Sequence, residues 1–308
     1  MPKLSIEFGY YPRDCEFDTG VISIASNNDL HKLVAGIQEH PNVHNEWIYP
    51  SPQLVRDFAS DQVSTLPYSP RVFGLPKTHT LSHEDAQSDE HLHFLVWCIG
   101  FFTGMRLTST DAGYLDATPI RPGKLTDFLP LSQQLSDGVN MAEEFWKQQL
   151  QYPRNTKRLI GIIHALFLSQ YPHALCFERF IYLYSALDAC FALTKEFSGF
   201  VGRGPNHAER IAWMCNQFNM PISAWASPAA IGSEVSIVRN DSIHESLFFE
   251  EPLGFAIYGG NAPMLNRPNV TLEMQALVCR LVVALLGRPD CTYVKSVVTS
   301  RQTHSLYP

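Results

Sequence analysis

The chain has 308 residues, 45% of them hydrophobic and 17% charged, with a net charge of −7 and a pI of about 5.9. That balance can fill a sizeable core and excludes a disordered or low-complexity chain, and the length allows two domains or one large one. The acidic balance excludes a protein that coats long nucleic acid by neutralising phosphates, so any nucleic-acid function must use a local site.

Seven cysteines, at 15, 98, 176, 190, 215, 279 and 291, are odd in number and form no C-x-x-C pair. Neither a disulfide framework nor a zinc knuckle is expected. Cys98, Cys176, Cys190, Cys215 and Cys279 fall in apolar helical runs and read as reduced core residues of a cytoplasmic protein. The first residues lack the charged start and long apolar segment of a signal peptide. The most apolar run, 94–105, is too short to span a bilayer, so no membrane role is expected.

Residues 1–85 read as a small mixed α/β region. Lys3-Leu4-Ser5-Ile6-Glu7-Phe8 alternates polar and apolar as a half-buried strand does, and 20–25 suggests a second strand. Asn28-Asp29 offers an N-cap, followed by Leu30, Leu33, Val34 and Ile37 at helical spacing. Prolines at 41, 50, 52, 67, 70 and 76 break up the rest of this region. His79, His83, His91 and His93 lie among acidic residues, but their spacings fit no common zinc pattern, and the stretch reads as a solvated polar linker.

Residues 86–171 read as a helical middle region. Phe94, Trp97 and Phe101 recur at i, i+3 and i+7 on one helix, and 113–127 is a loop. Amphipathic helices follow at 131–150, ended by Pro153, and at 156–170. Lys147, Arg154, Lys157 and Arg158 form the densest basic cluster. It reads first as a helix end at the surface and second as a backbone contact for RNA.

Residues 172–308 read as a helical domain. The expected helices cover 173–197, 207–218 with Asn206 as cap, 227–247 with Ser227-Pro228 as start signal, and 270–286 with Gly287 as C-cap. The tail after 291 is expected to be irregular. The Gly199, Gly202 and Gly204 loop lacks a preceding strand and a P-loop lysine, so it reads as a mobile loop whose Arg203 could touch RNA. From 172 to 288 the pattern is a four-helix unit with a long third connection. The fold class is therefore mainly α, with a C-terminal four-helix bundle, additional helices and a small mixed α/β N-terminal region.

One stretch of that unit pairs a fixed cation with a near-neutral acid/base group: Arg239-Asn240-Asp241-Ser242-Ile243-His244. The two suit attack of a ribose 2′-hydroxyl on the adjacent RNA phosphate. The histidine moves the proton and the arginine stabilises charge on the phosphoryl oxygens, with no metal required. On an ideal helix a five-residue step sets the two roughly 140° apart. The arginine stem could reach round, the helix could bend or end near His244, or two subunits could share the site; the angle points to the shared site.

This stretch resembles the R-x4–6-H motif of HEPN domains, including the polar residue those domains favour after the arginine. Glu178-Arg179-Phe180-Ile181-Tyr182-Leu183-Tyr184-Ser185-Ala186-Leu187-Asp188 resembles the first long helix of ApeA-like HEPN domains, and the closing helix from Leu272 is similar to theirs. The resemblance implies a helical homodimer and a metal-independent ribonuclease of toxin-type or anti-phage defence, leaving a 2′,3′-cyclic phosphate. It carries Arg239 and His244 over as catalytic, Asn240 as their support and Asp188 as a residue that holds Arg239. It implies no cofactor, and RNA and a defence-system protein as partners. Some members of the family have lost activity and serve as dimerisation or RNA-binding scaffolds or as regulatory subunits.

Overall fold

Alternation of inward and outward side chains builds the N-terminal sheet. In the computed structural model, residues 3–52, 54–65, 72–111, 113–115, 117–130, 132–228, 232–245, 269–300 and 305–306 are described. Of these, 46% are helical and 13% are in strands. They divide into two compact units, Met1–Leu125 and Thr126–Pro308.

The first unit opens with β1 (Leu4–Phe8), β2 (Phe17–Asp18), β3 (Ile22–Ser26) and α1 (Leu30–Gln38). Short pieces follow: β4 (Val43–His44), β5 (Trp47–Ile48), β6 (Leu54–Asp57), β7 (Gln62–Thr65) and β8 (Val72–Phe73). Then come β9 (His79–His83), α2 (Asp89–Thr103), β10 (Tyr114–Leu115) and β11 (Thr118–Pro119). The main sheet is antiparallel in the order β1-β9-β3-β2, with Phe8 and Ser26 both opposite His79. α2 packs on β1 and β9. It stops where Gly104, at φ 61°, takes the left-handed conformation that a side chain would resist.

The histidine-rich stretch is not a solvated linker. His79, Leu81 and His83 are the inward set of the central strand and His91 is in the first turn of α2, all of them buried. Period-two burial puts every second residue inside whatever its polarity, provided its hydrogen bonds are met. His79 meets that condition. Its Nδ1 lies 2.9 Å from Thr78 Oγ1, its Nε2 lies 3.1 Å from the Arg13 carbonyl oxygen, and its ring stacks on Phe8. The carbonyl can only accept, so Nε2 carries the proton and Nδ1 accepts from the threonine.

Burial lowers the His79 pKa to about 4. An unfolded chain protonates this ring near pH 6.5, so between pH 6.5 and 4 the unfolded state binds the extra proton and the fold loses stability as pH falls. The loss is expected to reach about 3 kcal/mol at pH 4. Urea unfolding from pH 7 to 4 checks this: His79→Gln should flatten the slope, and a wild-type slope that persists in the variant would refute it.

The second unit holds α3 (Ser132–Gln148), α4 (Pro153–Leu168), α5 (Cys176–Phe197), α6 (Arg210–Gln217), α7 (Glu234–His244), α8 (Val270–Leu285) and α9 (Thr292–Lys295). Pro153 opens α4 at its first turn, where its missing N–H costs nothing. α4, α5 and α8 pack on one another, and α6 and α7 dock on α5. Leu159, Ile162 and Ile163 of α4, Phe180, Leu183 and Leu187 of α5, and Met274, Val278 and Leu281 of α8 are buried in this unit's core. The long connection expected between the last two helices of the four-helix unit lies mostly outside the described residues.

Four local expectations change. The helix expected from 207 with Asn206 as cap starts at Arg210, with Glu209 at its N-cap. The helix expected from Ser227-Pro228 begins later: a 3-10 turn at Ala224–Ala226 leaves Ser227 extended, and Ser233 caps α7. Ile231 and Leu247, expected within that helix, lie outside the described residues. The tail after 291 contains α9, with Tyr293 and Val294 buried. Among the cysteines, Cys98, Cys190, Cys215 and Cys279 are buried and free, but Cys176, at the exposed start of α5, is a surface residue. No helix among the described residues is long and apolar enough to cross a membrane.

Candidate functional site

α7 is fixed at its start by a cap and along its length by one apolar face. Ser233 Oγ accepts the Ser236 N–H at 3.3 Å, and Gly232 turns into the helix at φ 114°. Val235, Val238 and Ser242, at i, i+3 and i+7, are buried. That face leaves Arg239 half-buried at its edge and turns Asn240 and His244 to solvent.

Arg239 and His244 nevertheless meet within one chain. Arg239 Nη1 lies 2.6 Å from His244 Nε2 and donates to Asn240 Oδ1 at 3.0 Å. The angular gap between positions 239 and 244 is real, but α7 ends at His244, and the arginine stem spans the rest. A composite of two subunits is not needed to bring the pair together. Every guanidinium N–H is a donor, so His244 Nε2 accepts and Nδ1 carries the ring proton. The Nε2 lone pair, the one a general base would use, is occupied by Arg239.

Asp188 does not hold Arg239. Its Oδ1 accepts from Arg210 Nη1 at 2.9 Å, with His207 Nδ1 at 3.9 Å. Arg210 also reaches His207 Nδ1 at 3.1 Å and lies over the Phe191 ring at 4.7 Å. Tyr184, one helical turn before Asp188 on α5, places its hydroxyl 2.9 Å from the same His207 nitrogen and stacks on that ring. Burial raises the Tyr184 hydroxyl to about 12, so it stays protonated. Burial first, then the charges of Arg210 and, more weakly, Arg239, hold the His207 imidazole below the ordinary histidine value against the opposing pull of Asp188. The turn that carries His207 packs on the start of α7, where Ala208 lies against Gly232, so the charge of Arg239 is felt at the ring.

His207, Arg210 and Tyr184 escaped the reading of the sequence. Their signal was present: His207 and Arg210 are three residues apart around the start of α6, and Tyr184 and Asp188 are an i, i+4 pair on α5. What the sequence does not show is that the two pairs face each other across α5 and α6.

The other expected RNA contacts lie elsewhere. Arg158 donates to Glu196 at 3.2 Å and to Asn155 at 3.3 Å, near the C-terminal end of α5. Glu196 is two helical turns beyond Asp188, about 12 Å along the axis. Lys157 is exposed on the same turn of α4, Lys147 pairs with Glu143, and Arg203 is exposed in the loop after α5. Among the described residues Arg239 is not paired with a carboxylate, while Arg210 is paired with Asp188. His207 and His244 both already accept from an arginine, which suits an anion rather than a cation. No family model, curated protein or solved structure matches the chain.

Proposed function

We propose that the chain is a metal-independent endoribonuclease of HEPN type, acting as a homodimer in a defence or toxin role. The observation that supports this reading is the 2.6 Å contact between Arg239 Nη1 and His244 Nε2, a fixed cation and a proton acceptor joined at an exposed helix end. An RNA phosphate competes for the guanidinium, because a bidentate charge-assisted pair is stronger than a hydrogen bond to a neutral imidazole. When Arg239 turns to the phosphate, the His244 lone pair is released to take the ribose 2′-proton. The 2′-oxygen–phosphorus bond forms and the bond to the 5′-oxygen breaks. Arg239 stabilises the charge on the phosphoryl oxygens, and His244 of a second copy, in its imidazolium form, gives its proton to the departing oxygen, so that the two histidines end the step with their protonation states exchanged. Asn240 steadies the arginine in its resting position.

Incubating the purified protein with RNA in excess EDTA and analysing the ends tests the proposal. Fragments with 2′,3′-cyclic phosphate and 5′-hydroxyl ends are the expected product. Intact RNA, or cleavage that EDTA abolishes, would sink it.

A further inference from the structure

The turn before α6 packs beside the start of α7, where Ala208 lies against Gly232, and it carries a second histidine whose hydrogen bonds fix its proton. Arg210 Nη1 and the Tyr184 hydroxyl both lie on His207 Nδ1, at 3.1 and 2.9 Å. A guanidinium can only donate, so Nδ1 accepts and the ring's proton sits on Nε2. Nε2 makes no hydrogen bond among the described residues, and the side chain is 31% exposed. Arg210 is itself held on two sides, by the Asp188 carboxylate and by the Phe191 ring. Turning it away from His207 would forfeit both contacts. The charged and titratable groups acting on the ring are Tyr184 and Asp188 from α5, Arg210 from α6, and Arg239 and His244 from α7.

We infer that His207 is a phosphate-binding residue beside this pair, a neutral imidazole whose Nε2–H donates to a phosphoryl oxygen, and that Arg210 is the residue that positions it. The inference rests on the reading of Arg239 and His244 as an RNA phosphate site. His207 does not carry a proton through the reaction. Its Nδ1 lone pair is already taken, and loss of the Nε2 proton would leave an anionic ring. Its contribution is that of a donor oriented in advance toward developing charge. The ligand class is a phosphate ester, either the RNA phosphodiester or the 3′-phosphate of a nucleotide.

The test uses adenosine 3′-monophosphate as the probe, long-range nitrogen–proton NMR of the imidazole, and RNA cleavage kinetics on the whole chain. The wild-type His207 spectrum should show the Nε2–H tautomer, and the nucleotide should shift it. His207→Ala should weaken the nucleotide about 10- to 100-fold, the worth of one hydrogen bond to a charged group. His207→Gln, which keeps an N–H donor at similar reach, should recover most of it. Arg210→Met should mix the tautomers and weaken the nucleotide. In cleavage, His207→Ala should raise KM and lower kcat without moving either limb of the pH profile. An Nδ1–H tautomer in the wild type, a nucleotide that does not bind or binds His207→Ala equally well, or a pH limb that disappears in the variant overturns the inference. Nucleotide binding through His207 without any RNA cleavage removes the ribonuclease reading and leaves the phosphate site standing. Cleavage that needs Arg239 and His244 but is unchanged in His207→Ala removes the inference alone.

Discussion

Arg239→Ala is expected to lower RNA cleavage by about 10²–10³-fold, the loss typical of removing one preorganised donor to developing charge. His244→Ala is expected to cost about 10²–10⁴-fold, the contribution typical of a positioned acid or base. The double variant should be no slower than the worse single one, because each group is useful only with the other in place. Arg239→Lys should recover little: an ammonium lacks the planar fork that can hold a phosphate and be steadied by Asn240 at once. None of these changes should unfold the chain. His244 is exposed at the end of α7, and the helix is anchored by Val235 and Val238 rather than by the pair. Rates measured beside circular dichroism and thermal melts check both halves of the statement. Wild-type cleavage in both single variants would refute the assignment of the site, whatever the melts show.

Why this pair was legible and its surroundings were not has a physical reason. Arg239 and His244 are separated by about 1.4 helical turns, so their chemistry can be read from a single window. Their contact, however, depends on where α7 stops, and helix ends are set by caps rather than by periodicity. Ser227-Pro228 carries a start signal as good as that of Ser233. The structure uses Ser233, because Gly232 supplies the positive φ that lets the chain turn in. α5 and α8 were legible over nearly their whole length, since long apolar stripes at helical spacing admit few alternatives. The two-residue strands β4, β5 and β8 were not, because two residues hold no alternation to detect. His79 and His83 misled by polarity: their strand alternates in burial, but its inward positions are histidines whose partners, such as the Arg13 carbonyl, are distant in sequence. Asp188 misled for the same reason, since its helix was recognised but its partner, Arg210, lies on a neighbouring element.

Arg280 carries the largest expected stability effect, and its position follows the same logic. It is a lone charge in the apolar run of α8 and is 1% exposed. A buried guanidinium must have its donors met, or the desolvation cost is unopposed. Nη1 donates to Asp127 Oδ2 at 2.7 Å and to the Ala276 carbonyl at 2.9 Å, and Nη2 donates to Ser296 Oγ and the Val297 carbonyl, both at 3.1 Å. The Tyr293 ring lies 4.5 Å from the guanidinium, and its hydroxyl donates to the other Asp127 oxygen. One side chain thus ties α8 to the segment before α3 and to α9, which explains why the tail is ordered there. Arg280→Met is expected to cost about 3–5 kcal/mol, because it leaves the Asp127 carboxylate without its cation and the Val297 carbonyl without this donor. In a unit of this size that lowers Tm by on the order of 10 °C. Pairing it with Asp127→Leu should return part of the loss, since replacing both charges by apolar groups removes the stranded partner. Denaturant melts of the two single variants and the double variant measure the coupling directly. A single variant within about 1 kcal/mol of wild type, at the level of an exposed ion pair, would show that Arg280 does not hold the C-terminal segment in place.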